Sequence, residues 1–284
     1  MNFRRVRWHG VLILLCVNAV LFYGVWSETR TGILRVSFLN VGQGDAIFIE
    51  SPAGIQILID GGSPNKKVLF ELGALMPFYD RSIDVVVATH PDEDHIGGLS
   101  DVLERYAVGV VLDSGLPRDT ASFRRFEEII KEKNIPYIQG ARGERIYLGN
   151  DTYADILYPD RDLLGVEPNI ASIIIKLTYG ENTFLFTGDA PVSVEEYISQ
   201  LEKDNLDVDV LKIGHHGSKT STSETLLGLA SPEYAVISVG KDNSYGHPHP
   251  DVLLRLKKFE IPILRTDESG TIVFTTDGRS LSLK

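Results

Sequence analysis

The sequence predicts an α/β fold of two mixed sheets packed face to face, with helices on the outer faces and one apolar helix at the N-terminus. Three observations carry this. Residues 33–138 run from a meander of short strands into strand–helix alternation. Residues 146–283 repeat that order. No linker or low-complexity stretch separates the two runs, so they close as one domain.

The elements follow in order. Strands are expected over 33–40, 45–50 and 55–60, split by Gly42-Gln43-Gly44 and Pro52-Ala53-Gly54, which are turn signals. A helix over 66–75, a strand over 84–89, a helix over 98–106 and a strand over 108–113 come next. Residues 122–133 place Phe123, Phe126, Ile129 and Ile130 on one helical face, and 135–138 is a short strand. In the second run, 146–148, 155–158, 172–178 and 183–187 are strands. Then 192–201 is a helix, 207–213 a strand, 224–230 a helix, 234–239 a strand and 252–259 a helix. Strands over 261–264, 271–275 and 280–283 close the chain.

Residues 1–29 differ in character. Arg4, Arg5 and Arg7 precede an apolar run over 11–26, broken by Asn18. As a helix that run is about 24 Å long, against a bilayer core of roughly 30 Å; extension back to Trp8 nearly closes the gap. The expectation is a helix over about 9–26 acting as a signal anchor, or as a cleaved signal peptide. Gly24-Val25-Trp26-Ser27-Glu28 has no small-residue cleavage pattern, which favours the anchor. With the basic flank inside, residues 30–284 lie outside the cytoplasm, held at the membrane or secreted.

Composition bounds the function. The chain has 284 residues, 43% hydrophobic and 24% charged, as in a globular enzyme. One cysteine, Cys16, excludes disulfides within the chain and cysteine-rich zinc sites. The net charge of −11 repels nucleic-acid backbones at long range, although metal-binding carboxylates account for part of it.

Thr89-His90-Pro91-Asp92-Glu93-Asp94-His95-Ile96-Gly97-Gly98 follows the apolar run Asp84-Val85-Val86-Val87-Ala88. A buried strand therefore delivers two histidines and two further carboxylates of metal-ligand type into one loop. Asp60-Gly61-Gly62, Gly188-Asp189-Ala190, Gly214-His215-His216-Gly217-Ser218 and Tyr245-Gly246-His247-Pro248-His249-Pro250 have a similar form: glycine-softened loops bearing a ligand-type residue. Six of the seven histidines lie in these loops. Asp60 suits an orienting role behind a metal-binding histidine, and Asp45 a turn or the same supporting role. Ser218, Lys219 and Ser221 suit a substrate rim, or Ser221 or Ser223 a helix cap. Lys131, Arg142 and Arg145 suit a solvated surface.

Thr89–Gly98, Gly188-Asp189 and His215–Ser218 resemble the metallo-β-lactamase superfamily. Phe38-Leu39-Asn40-Val41-Gly42-Gln43-Gly44-Asp45, Leu211–Ser221, Ala235–Gly240 and Tyr245–Pro250 are similar to the extracellular hydrolase domain of the ComEC/Rec2 competence proteins. The likeness covers about residues 33–284. It implies an αββα four-layer sandwich holding two divalent metal ions, Mn²⁺ or Zn²⁺, with Mg²⁺ also compatible. His90 and Asp92 would serve one ion, Asp94 and His95 the other. Asp189 would bridge them and His216 would complete the second site, with His215 facing substrate. The choice between His215 and His216 as ligand stays open.

The chain departs from the superfamily pattern at Asp92, where a histidine is usual, and at Glu167-Pro168-Asn169-Ile170-Ala171-Ser172, which stands where another histidine is usual. The first site is then oxygen-rich, favours harder ions and holds its ion more weakly. A two-metal centre of this kind suits in-line attack on a phosphoryl group. Asp94 would orient or deprotonate the attacking water; His215, His247 or Lys212 would stabilise phosphate charge or protonate the leaving group. The resemblance implies an exported phosphodiesterase, single-stranded DNA among its substrates, in a DNA-uptake process with a separate membrane channel protein as partner. Two alternatives stand beside it: a non-catalytic DNA-uptake subunit, and a hydrolase of small or cell-surface phosphodiesters.

Overall fold

The computed structural model describes residues 3–29 and 32–284, with side chains described for 8–23 and 32–284. The first sheet receives strands β1 Leu34–Phe38, β2 Ile47–Glu50, β3 Gln56–Ile59, β4 Ser82–Ala88, β5 Ala107–Asp113 and β6 Tyr137–Gln139. The second is built from β7 Arg145–Tyr147, β8 Thr152–Tyr158, β9 Ile174–Tyr179, β10 Asn182–Phe186, β11 Val210–Lys212, β12 Tyr234–Ile237 and β13 Ile263–Arg265. The chain then returns. Strands β14 Ile272–Thr276 and β15 Leu281–Leu283 join the first sheet, where β14 pairs antiparallel with β1. The sequence pattern shows these two as strands but not the sheet they enter, because strand pairing is a long-range choice.

Each sheet is antiparallel on one side and parallel on the other. In the first, β3, β4, β5 and β6 run parallel; in the second, β10, β11, β12 and β13 do. Period-two alternation divides their side chains between two cores. Val85 and Val87 of β4 face the space between the sheets, while Val86 and Ala88 face the outside. Phe184 and Phe186 of β10 face inward beside Phe38 and Phe274, and Leu185 faces outward.

The outer face of the first sheet is covered by α2 Lys67–Leu75, the helical turn α3 Glu93–Ile96, α4 Leu99–Arg105 and α5 Ala121–Lys133. In α5, Thr120 caps the N-terminus by accepting from Phe123 N at 3.2 Å, and Phe123, Phe126, Ile129 and Ile130 are buried. The second sheet is covered by α6 Val192–Leu201, α7 Glu224–Ala230 and α8 Pro250–Lys258. Ser223, not Ser221, caps α7, accepting from Leu226 N. A last turn, α9 Thr266–Ser269, precedes β14. Three apolar cores thus separate four layers. Arg142 and Arg145 lie on the surface, paired with Glu202 and Asp155.

The expected N-terminal helix forms as α1 Phe3–Thr29. Among the described residues, however, no helix is long and apolar enough to cross a membrane, so the single-pass anchor is not supported. The apolar stretch is short, and Asn18 interrupts it, its amide bonding back to Leu14 O at 2.8 Å. The expected boundary at residues 29–30 reaches Arg30, which lies outside the described residues.

Candidate metal centre

The parallel strands of both sheets end on one edge of the sandwich. β3 leads to Asp60, β4 to Thr89–His95, β10 to Asp189, β11 to His215 and His216, and β12 to Ser238. A parallel strand needs a crossover at each end, so its C-terminal loop is free to carry function.

Asp60 sits at φ 60°, a left-handed conformation that aspartate tolerates better than most residues. There its carboxylate accepts from Thr89 N at 2.8 Å, from Thr89 Oγ1 at 2.7 Å and from His95 Nδ1 at 2.7 Å. Since the Thr89 hydroxyl donates to Asp60, its oxygen accepts from His90 Nδ1 at 3.0 Å. One buried carboxylate therefore orients two imidazoles, and both present Nε2 to the centre. His216 reaches the same state differently, Nδ1 donating to Ser238 O at 2.9 Å. His215 and His216 lie at φ 49° and 53°, a pair of non-glycine left-handed residues costing about 1–3 kcal/mol each. That turn sends the two rings apart, His216 inward and His215 toward the rim.

The Nε2 atoms converge on carboxylates. His95 Nε2 is 3.3 Å from Asp189 Oδ1; His216 Nε2 is 3.2 Å from Asp94 Oδ2 and 3.5 Å from Asp189 Oδ2. The His90 ring lies 4.0 Å from that of His95, centre to centre, the two planes tilted by 50°. Asp92 stands further off, its Oδ2 3.9 Å from His90 Nε2, and is partly exposed beside Arg118. His215 Nε2 is 3.7 Å from Asp189 Oδ2. The His247 ring lies 5.6 Å from His215 and stacks on Tyr245. His249 points elsewhere, accepting from Asp251 N to cap α8.

One group lies where sequence reasoning did not place it. Lys212 is fully buried and cannot reach substrate; it pairs closely with Asp45, donates to Gly188 O at 2.9 Å and stands 3.7 Å from Asp189. The signal was available: Val210 faces the intersheet space, and two residues along the strand Lys212 must face the same way. Asp45 takes the supporting position that the sequence reading offered beside a turn. It lies on the Nδ1 side of the rings, 3.4 Å from His216 and 3.9 Å from His95. Residues 167–172 also enter the site. Ser172 Oγ accepts from Asp189 N at 3.0 Å and lies 3.5 Å from His90 Nδ1, and Asn169 Nδ2 lies 3.4 Å from His215 Nδ1.

The electrostatics follow from this crowding of carboxylates. Burial opposes a charge on His95 and His216, but Asp189 and Asp60 outweigh it at His95, holding it well above the usual histidine range, and Asp189 and Asp45 raise His216 to about 9. Burial, reinforced by His95, lowers His90 to about 3. Burial also works against ionised Asp94 and Asp189, yet the surrounding histidines keep both below the usual carboxylate range. Burial lowers His215 and His247, so both rings are neutral near pH 7.

These donors fit divalent metal. The Nε2 atoms of His90, His95 and His216 and the Oδ1 atoms of Asp45 and Asp189 are buried without hydrogen-bond partners among the described residues. Each such atom costs about 1–3 kcal/mol if left unsatisfied. One ligand atom each from Asp45, His95, Asp189 and His216 lie within 4.8 Å of one another. The carboxylates that draw protons onto His95 and His216 would draw a cation there instead. Of this group Asp45 faces the far side of both rings and is engaged by Lys212, which suits it to orientation; Asp94 and His90 face the Nε2 side.

Comparison with known proteins agrees. ComE operon protein 3 of Bacillus subtilis is 31% identical over 264 residues, 86% of this chain and 33% of that protein. Recombination protein 2 of Haemophilus influenzae is 31% identical over 265 residues, 92% of this chain and 31% of that protein. The chain thus spans about a third of the length of these relatives. Among solved structures, the metallo-beta-lactamase fold protein YhfI of Bacillus subtilis superposes with a TM-score of 0.57 at 14% identity, covering 86% of this chain and 100% of that one, a likeness of fold. Residues 39–241 match the metallo-beta-lactamase superfamily, and the chain belongs to it.

Proposed function

We propose that this chain is a divalent-metal-dependent phosphodiesterase that works outside the cytoplasm on single-stranded DNA. The observation that carries the hydrolase reading is that the Nε2 atoms of His90, His95 and His216 are buried and unpartnered, with those of His95 and His216 directed at Asp94 and Asp189. Similarity to a recombination protein and resemblance to competence proteins support DNA as substrate. The basic-then-apolar order of residues 4–26 supports export.

His90, His95, His216, Asp94 and Asp189 would hold the metal, with Asp92 at the open side. Bound divalent ions supply Lewis-acid activation of water and of the phosphoryl oxygens. Asp94 would accept the proton of the attacking water. His215 and His247, neutral and at the rim, would donate hydrogen bonds to phosphoryl oxygens. Lys212 and Asp60 act from behind, on the ligands.

The test is Mn²⁺-dependent cleavage of single-stranded DNA and of an aryl phosphodiester by the full chain. Both should be cleaved, and Asp189→Ala should reduce each by at least about a thousandfold. Cleavage of the aryl ester alone would favour a small or cell-surface phosphodiester, a reading to which the net charge of −11 lends weight. Cleavage of neither, by protein shown to hold metal, would overturn the hydrolase and favour a binding subunit.

A further inference from the structure

The Gly42-Gln43-Gly44 motif takes no part in the mechanism above, yet the fold clamps it tightly. A side chain at Gly44 would meet Asp94 O at 1.9 Å, and one at Gly240 would meet Gln43 N at 2.7 Å. The motif is therefore pressed between the metal-site loop and the loop after β12, which only glycine permits at those two contacts. Gln43 Oε1 accepts from Gly240 N at 3.3 Å and Ser63 Oγ donates to Gln43 O at 3.0 Å, so three loops are tied together.

On the outer side of this clamp is a cavity of about 390 Å³, lined among others by Gly42, Gln43, Asn65, Lys67, Lys241 and Asn243. Lys67 Nζ lies over Gly42, 3.1 Å from where a Cβ would be. Neither Lys67 nor Lys241 has an ion-pair or hydrogen-bond partner for its ammonium among the described residues. The carboxylate in the wall, Asp267, is already engaged by Arg265 at 2.7 and 3.0 Å. An acidic protein thus keeps two uncommitted cations in one polar recess. Asn243 joins the recess to the active centre. It donates to His247 O at 2.6 Å and accepts from His247 N at 3.0 Å, and His247 packs against His215.

We propose that this cavity binds a phosphodiester group of a nucleic-acid strand, flanking the one presented to the metal centre, with Lys67 and Lys241 as its cationic contacts. The inference deepens the proposed function, on which it rests. It gives the chain a way to prefer a polymer over a small ester despite its net charge: local cations next to the centre act within a Debye length, where the overall charge is screened.

The test pairs two measurements on the full chain. Anisotropy of a labelled oligothymidylate, in EDTA to stop turnover, should show Lys67→Ala/Lys241→Ala binding about tenfold or more weaker, with a salt slope shallower by about one. A control, Lys131→Ala/Lys203→Ala, removes equal charge elsewhere and should bind as wild type. With Mn²⁺, hydrolysis of the aryl phosphodiester by the cavity variant should stay within about twofold of wild type. Equal weakening in the control, unchanged binding in the cavity variant, or no binding by wild type would each overturn the subsite. Selective loss of binding with no aryl-ester hydrolysis by wild type would sustain the subsite and overturn the phosphodiesterase.

Discussion

The two flanks of the metal centre are built to different standards. On one, His95 and His216 are fully buried, each Nδ1 anchored within 2.9 Å, each Nε2 within 3.5 Å of a carboxylate. On the other, His90 is anchored by a hydroxyl rather than a carboxylate or carbonyl, and Asp92 hangs 3.9 Å away, partly exposed and shared with Arg118. The contrast extends to charge, since His216 is raised to about 9 and His90 lowered to about 3. Two histidines of one site, about a ring's width from a shared neighbour, are pushed in opposite directions: at His216 the carboxylates outweigh burial, and at His90 burial and the His95 ring outweigh the carboxylates. The difference predicts that a metal would be held tightly on the first flank and more weakly on the second.

The contrast is most directly broken at the ligands. His216→Ala should cost about a thousandfold in turnover and remove the retained metal. Asp92→Ala should cost about tenfold and leave one ion per chain by elemental analysis. Equal losses in the two variants would erase the asymmetry. Support behind the tight flank comes next. Lys212→Met leaves Asp45 buried without its cation and should destabilise the fold by about 3–5 kcal/mol in denaturant titration, while Lys212→Met/Asp45→Leu should recover most of it. Asp60→Asn is expected to weaken metal binding by about 10–100-fold, measured by chelator competition, because it loosens His95 and, through Thr89, His90.

The two flanks also differ in how pH acts on them. Charged His216 stabilises the metal-free fold fully below about 6.5, and that contribution is lost as pH rises through about 9. His90 is folded neutral, so its contribution is present above about 6.5 and is lost as pH falls toward about 3. His216→Asn should therefore flatten the alkaline limb of the stability profile of metal-free protein, and His90→Asn the acid limb. Thermal melts between pH 3 and 9 separate the two.

Much of this is legible in residue order. The unbroken apolar run 85–88 marks a strand with two buried faces, and glycines after strands mark loops that bear ligands, because both are short-range properties of the chain. The turn Glu93–Ile96 is not legible, since four residues of mixed ligands carry no periodicity; it forms because Asp92 O accepts from His95 N and Ile96 N, holding the ligand loop compact.

The sequence by itself determined the order of strands and helices and the loops that carry histidine and aspartate, because side-chain periodicity and turn chemistry act within a few residues. Tertiary structure alone decided that β14 and β15 cross back beside β1, that Asn169 and Ser172 meet histidines some tens of residues away, and that Asp45 and Lys212 become partners. It also decided which nitrogen of each ring faces the centre, since that depends on Asp60, Thr89 and Ser238 arriving from different strands. Pairings of this kind are selected by the free energy of the whole packed sandwich, to which no local stretch of chain has access.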